Sequence, residues 1–239
     1  MSPSGEYECY RHGNYPTHLH DCPKCEEAEQ TERLARARIP KRYAQKNIND
    51  YKVSTAAQKN SLRIAQYFIE NFEGEVQQFG KMLVFLGEPG TGKTLLATLI
   101  LQAIAPKHGG LYTEASEIIQ SVRRSWRKES LVTEGEVIKY YVNQTLLVID
   151  EIGAQYCTAG EQLILESVLG LRYAHLMPTI LLTNNTYEEL ETIILGEKII
   201  DRLNEIAVWV PFDWESFRQP AAAHSVQNAQ VISMPRRRK

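Results

Sequence analysis

The chain has 239 residues, 43% hydrophobic and 23% charged, enough to bury one substantial core plus a small appendage. No apolar run approaches the length of a membrane-spanning helix, and residues 1–10 lack the apolar stretch of a signal peptide, so the sequence predicts a soluble, cytoplasmic protein. A formal net charge of -2 and a pI near 6.3 exclude a globally basic, polyanion-coating chain, so any nucleic-acid contact must be a local patch.

Residues 1–25 hold three of the four cysteines and three of the six histidines but little apolar material, so this segment cannot form a core unaided. The spacing suits a metal site better than a disulfide framework. Cys9-x2-His12 and Cys22-x2-Cys25 are two knuckles of thiolate and imidazole donors, a set suited to a tetrahedral, structural Zn²⁺. His18 and His20 are competing ligands, and free side chains in an unfolded tail are the bland alternative. Residues 26–49 read as a linker: a charged, solvated helix over 26–38, with Leu34 as its large apolar residue, stopped by Pro40.

Residues 50–218 carry the alternation of a parallel α/β domain. A helix over 56–71 places Leu62, Ala65, Phe68 and Ile69 on one side. Short apolar runs over 82–86, 146–149 and 179–182 suit fully buried parallel strands, with shorter strands over 111–113 and 208–210. Helical patterns over 95–104, 116–127, 162–174 and 187–194 lie between them. Residues 219–239, rich in Pro, Ala, Gln, Asn and Ser and ending in Arg236, Arg237, Arg238 and Lys239, read as a disordered basic tail.

The chemistry is concentrated in that domain. Gly87-Glu88-Pro89-Gly90-Thr91-Gly92-Lys93-Thr94 matches G-x-x-x-x-G-K-[ST] between a strand and a helix, the context the pattern requires. Its glycines let backbone N–H groups turn toward phosphate oxygens, and the helix opening near Lys93 adds the positive end of its dipole. Lys93 is expected to reach the β- and γ-phosphates of ATP, and Thr94 to offer its hydroxyl to Mg²⁺. The run over 146–151 ends a buried strand in two acids at the carboxyl edge, where α/β sheets bind ligands. Asp150 is placed to hold Mg²⁺ and Glu151 to polarise the attacking water as general base, which makes the chain a P-loop ATPase. Asn184 and Asn185 follow the next strand, and either could orient that water or touch the γ-phosphate.

The span 38–218 resembles the AAA+ helicase loaders of the DnaC type, including their phage-encoded relatives. The residues that carry the resemblance are Arg38-Ile39-Pro40-Lys41-Arg42-Tyr43, GEPGTGKT at 87–94, LLVIDEIG at 146–153, LLTNN at 181–185, LGEKIIDRL at 195–203, and Phe212-Asp213-Trp214-Glu215-Ser216-Phe217-Arg218. The P-loop and the Asp-Glu pair are shared by many ATPases; the DEIG continuation, the I-x-D-R-L box and the closing W-E-S-F-R are more specific. The resemblance implies an AAA+ core and a replicative hexameric helicase as partner. It also implies Asn184 or Asn185 as sensor 1, and Arg202 as an arginine finger in a ring or spiral of subunits. From spacing alone Arg202 is a surface arginine, and Arg218 is a packing or nucleotide-proximal residue.

In that family the helices after the second strand contact single-stranded DNA. Here the matching stretch carries Arg123, Arg124, Arg127 and Lys128 to neutralise phosphates and Trp126 to stack on a base. A surface helix with Trp126 in the core is the alternative. The cysteine-bearing segment departs from the enterobacterial pattern and looks more like the zinc-bearing N-terminal domains of Gram-positive loaders. Two rival functions share the motor: an IstB-like transposition helper, and a nucleotide-gated adaptor with little turnover, against which an intact Glu151 argues.

Overall fold

The computed structural model describes residues 6–9, 11–16, 22–154 and 157–218. His18, His20 and the tail over 219–239 lie outside them. A two-stranded antiparallel hairpin, β1 (Glu6–Cys9) and β2 (Gly13–Pro16), precedes α1 (Pro23–Arg36). A connector then leads to α2 (Ala56–Glu70), β3 (Met82–Gly87), α3 (Lys93–His108), β4 (Leu111–Glu114), α4 (Ala115–Ser125) and α5 (Glu134–Val142). The domain continues with β5 (Leu147–Ile152), α6 (Ala159–Ala174), β6 (Thr179–Thr183), α7 (Tyr187–Glu189), a π-helical turn over Leu190–Ile194, α8 (Glu197–Ile206) and β7 (Ala207–Phe212). Among the described residues no helix is long and apolar enough to cross a membrane.

β3 to β7 form a five-stranded sheet in the order β4-β5-β6-β3-β7, every neighbouring pair parallel. Successive side chains of a strand point to opposite faces, and both faces here are covered. Leu83, Phe85, Val148, Ile180 and Leu182 pack with α2 and α3 through Phe68, Leu96 and Ile100. Met82, Val84, Leu147, Ile149 and Leu181 pack on the other side with Ile118, Leu165, Val168, Ile199 and Leu203 from α4, α6 and α8. Burial on both faces explains why these strands read as continuous apolar runs.

Helix starts follow a recurrent device. Thr55, Thr133, Thr158 and Thr186 each accept from the backbone three residues on, while Gln58, Glu136, Glu161 and Glu189 reach back, closing capping boxes at α2, α5, α6 and α7. The box at Thr158 explains why α6 begins earlier than the apolar pattern over 162–174. The expectation of helices missed α5 and α8 altogether, and it missed the N-terminal hairpin.

The linker helix forms and stays largely solvated, with no buried residue, but it is docked. Arg33 NH1 donates to Lys107 O at 2.8 Å and to Pro106 O at 3.3 Å, placing a cation at the carboxyl end of α3. Ala37, fully buried just past α1, accepts the Tyr112 N–H at 2.8 Å and so covers the free edge of β4.

Arg172 near the end of α6 is fully buried. Its Nε donates to Thr179 Oγ1 at 2.8 Å, NH1 to the carbonyls of Val142 and Gln144, each at 2.8 Å, and of Tyr141 at 3.0 Å, and NH2 to Pro178 O. Burial pulls its pKa down to about 9, still well above neutral, so the guanidinium stays charged. Its charge is met by the carbonyl end of α5. Replacing it by Arg172→Met keeps the apolar stem but orphans these carbonyls. Urea unfolding is expected to show a stability loss of about 3–5 kcal/mol.

Candidate functional site

The loop between β3 and α3 turns on glycines with positive φ, among them Gly90 at 84° and Gly92 at 97°. A side chain at Gly90 would also collide with Ser216 Oγ, 2.0 Å from where its Cβ would sit. Thr91, fully buried, donates to Glu88 O at 2.8 Å and closes the loop. Lys93, 6% exposed, curls over the loop and donates through Nζ to Gly87 O at 2.6 Å and Glu88 O at 2.9 Å. Burial lowers its pKa, with Asp150 and Glu88 pulling the other way. The unpaired N–H groups of the first turn of α3 face the same space, which suits an anion.

Asp150, 7% exposed, ends the uninterrupted buried run of β5. Its Oδ2 accepts from Thr94 Oγ1 at 2.9 Å and from the Tyr112 hydroxyl at 2.7 Å, and its Oδ1 accepts from the Glu151 N–H at 2.7 Å. The next residue breaks the pattern. Glu151 has φ 57°, and the β5–β6 register shifts between Ile149 and Ile152. This local bulge turns Glu151 out of the sheet into an exposed position beside Asp150. Desolvation raises its pKa, and the charges of Glu114 and Asp150 add to the rise. A carboxylate with a raised pKa is chemically suited to accept a proton.

The structure separates the two asparagines. Asn184 lines the cavity, whereas Asn185 is folded back: its N–H donates to Thr183 Oγ1 at 3.0 Å and its Nδ2 to Glu189 Oε2 at 3.3 Å. Gly153, at φ 94°, lies against it, and a Cβ there would meet Asn185 Oδ1 at 2.1 Å. The glycine of DEIG and the second asparagine of TNN are thus two halves of one contact.

Gly90, Lys93, Thr94, Asp150, Glu151 and Asn184 surround a cavity of about 440 Å³. Segments outside the strand–helix alternation complete it: Arg42, Tyr43 and Tyr51 from the connector, Phe217 and Arg218 after β7. The closing segment is pinned to the P-loop, Trp214 Nε1 donating to Thr91 O and the Phe217 N–H to Gly90 O, each at 2.9 Å. Reasoning from spacing missed Tyr112, Tyr51 and Phe217 as members of this site, and only the W-E-S-F-R motif hinted at the last.

Other candidate residues lie apart. Arg202 on α8 stacks over the Tyr173 ring at 5.3 Å and does not line the cavity of its own chain. Trp126 is 56% exposed, its Nε1 donating to Glu134 Oε2 at 2.7 Å, so it does not sit in the core. Arg124 and Arg127 are exposed beside it, Arg124 donating to Ser121 Oγ, while Arg123 pairs with the buried Glu161 at 3.0 Å. Arg123 therefore also ties α4 to the start of α6.

At the N-terminus Cys9, His12, Cys22 and Cys25 bring their donor atoms within 4.8 Å of one another. Cys9 Sγ and Cys25 Sγ are 3.6 Å apart, and His12 Nδ1 lies 3.3 Å from Cys25 Sγ, 3.5 Å from Cys22 Sγ and 3.7 Å from Cys9 Sγ. Donors on a Zn²⁺ tetrahedron with ordinary bond lengths are spaced about 3.6–3.8 Å apart, so the set fits that ion. The crowding polarises the thiols: backbone N–H donation, from Arg11 first, lowers the Cys9 pKa to about 6, and Cys9 in turn pushes Cys25 up to about 11.

Residues 22–225 match the family model of IstB-like ATP binding proteins. The chain is 32% identical over 173 residues to the replicative helicase loader DnaC of Escherichia coli K12, spanning 72% of this chain and 69% of that protein. Its fold matches the crystal structure of the DnaC helicase loader with a TM-score of 0.64 and 25% identity, covering 72% of this chain and 99% of that one. It matches the structure of DnaI with a TM-score of 0.62 and 19% identity, covering 73% and 94%, a likeness of fold. With its parallel sheet, P-loop and cavity at the carboxyl edge, the chain belongs to the IstB/DnaC family of AAA+ ATP-binding proteins.

Proposed function

We propose that this protein is an ATP-dependent loader that places a replicative hexameric helicase on single-stranded DNA, with ATP hydrolysis as the switch. The observation that carries this reading is the 32% identity to the DnaC loader across 72% of the chain, a span long enough to take in the nucleotide site. The loop 87–92 and the first turn of α3 hold the phosphates, and Lys93 exchanges its two loop carbonyls for phosphate oxygens. Thr94 Oγ1 and Asp150 Oδ2, hard oxygen donors 2.9 Å apart, suit Mg²⁺. When bound, that ion neutralises charge on the phosphoryl oxygens.

Glu151 takes the proton of the attacking water, and Asn184, facing the cavity, orients that water or the γ-phosphate. Asn185 supports the turn behind it. Arg202, turned away from its own cavity, serves as arginine finger to the neighbouring subunit of a ring or spiral. Trp126, Arg124 and Arg127 offer a stacking face and two cations to single-stranded DNA, with Arg123 contributing what its pairing with Glu161 allows. The cysteine–histidine knuckle holds a structural Zn²⁺ and presents the surface that docks on the helicase.

Purified protein is expected to hydrolyse ATP, faster with single-stranded DNA, and to capture the host's replicative helicase in a pull-down. Capture of a transposase alone would replace the loader by the transposition helper, and tight ATP binding without turnover would leave an adaptor. Glu151→Gln should keep ATP bound and lower kcat by about 10²–10⁴-fold. Because the Glu151 pKa is raised and its ionised form is the base, kcat should fall as pH drops, with the acid limb above the ordinary carboxylate range. Elemental analysis should find one Zn²⁺ per chain, lost in Cys22→Ser/Cys25→Ser, while nucleotide binding by the domain over 50–218 persists.

A further inference from the structure

We infer that Tyr112 is a positioning residue for the metal-holding carboxylate, fixing Asp150 in the orientation that meets Thr94 and Mg²⁺. The inference rests on the ATPase reading and adds to it a residue that no motif marks. Tyr112 lies on β4, the edge strand beside β5, and its register partner is Val148, two residues before Asp150. From there its hydroxyl reaches across to donate to Asp150 Oδ2 at 2.7 Å, the same oxygen that takes the Thr94 hydroxyl at 2.9 Å.

A carboxylate can accept about four hydrogen bonds. Here three donors hold it: Tyr112 and Thr94 on one oxygen and the Glu151 N–H on the other. Thr94 is itself needed by the metal, and the Glu151 N–H sits in the bulged stretch of β5. Tyr112 alone of the three comes from regular secondary structure outside the motifs. Its backbone is pinned as well, since its N–H donates to Ala37 O at 2.8 Å. Its ring packs partly buried against the apolar layer that includes Val148 and Ala97. Partners of this kind set ligand orientation, and their loss costs about 10–100-fold in metal affinity or activity.

The test compares wild type with Tyr112→Phe in two titrations with Mg²⁺, one reading ATP turnover and the other the Mg²⁺-dependent tightening of a fluorescent ATP analogue. The expected result is a half-saturating Mg²⁺ concentration raised about 10-fold in both. Analogue affinity in EDTA and the thermal unfolding transition should be unchanged, which a merely structural role would not produce. Equal Mg²⁺ dependence in the two proteins overturns the inference. Should the phenylalanine form fold poorly, Tyr112→Met fills similar space without a donor and gives the same readout. A wild type without turnover would overturn the ATPase reading, while the analogue titration would still decide the role of Tyr112.

Discussion

Parallel pairing sends the carboxyl ends of all five strands to one edge of the sheet, and the P-loop, the Asp150–Glu151 pair and Asn184 meet around the cavity because of that constraint. β3 delivers Gly87, β5 delivers Asp150 and Glu151, β6 delivers Thr183 and Asn184, and β7 runs into the segment that pins the P-loop through Trp214 and Phe217. Since β3 lies between β6 and β7, the phosphate loop is flanked on one side by the asparagine turn and on the other by the closing segment. Strand order, not loop length, decides which residues meet.

The opposite edge has its own lock. Arg172 reaches the carbonyls of Gln144 and Pro178, just ahead of β5 and β6, together with the carbonyl end of α5. A slip of β5 against β6 would shift Asp150 relative to Asn184 and would also strand a buried guanidinium or its carbonyl partners. The register that aligns the site is thus held from the far end of the same two strands.

Much of this was legible in the sequence because the strands are buried on both faces and so appear as uninterrupted apolar runs, and because the P-loop is defined by local spacing. The fold class, the five main strands and the positions of Lys93, Thr94 and Asp150 could be read that way. What escaped depends on partners distant in sequence. Which asparagine faces the cavity turns on the bulge at Glu151 and the contact of Asn185 with Gly153, neither of which has a periodic signature. The hairpin of β1 and β2 has no apolar periodicity to announce it; what marks its segment in the sequence is the pair of donors Cys9 and His12. α5 does have a local signal, since Thr133-x-x-Glu136 is a capping box visible in the residues themselves. Tyr112 has no signal beyond a short apolar strand, because its partner Asp150 is reached only through the adjacency of β4 and β5.

The connector over 39–52 is seated on the domain by the packing of Tyr51 and by a hydrogen bond to its backbone. Tyr51 lies 5% exposed against the P-loop, and burial pushes the pKa of its phenol up to about 12. Beside that ring contact, Gln102 Nε2 donates to Tyr43 O at 2.9 Å. Gly92 lies under that ring: a Cβ there would sit 3.6 Å from it, an ordinary contact, so it is the φ of 97° and not the packing that calls for glycine. The segment seated there joins the domain to α1 and its cysteine–histidine knuckle. Because Tyr43 and Tyr51 also line the cavity, whatever fills it touches the connector and the phosphate loop at once.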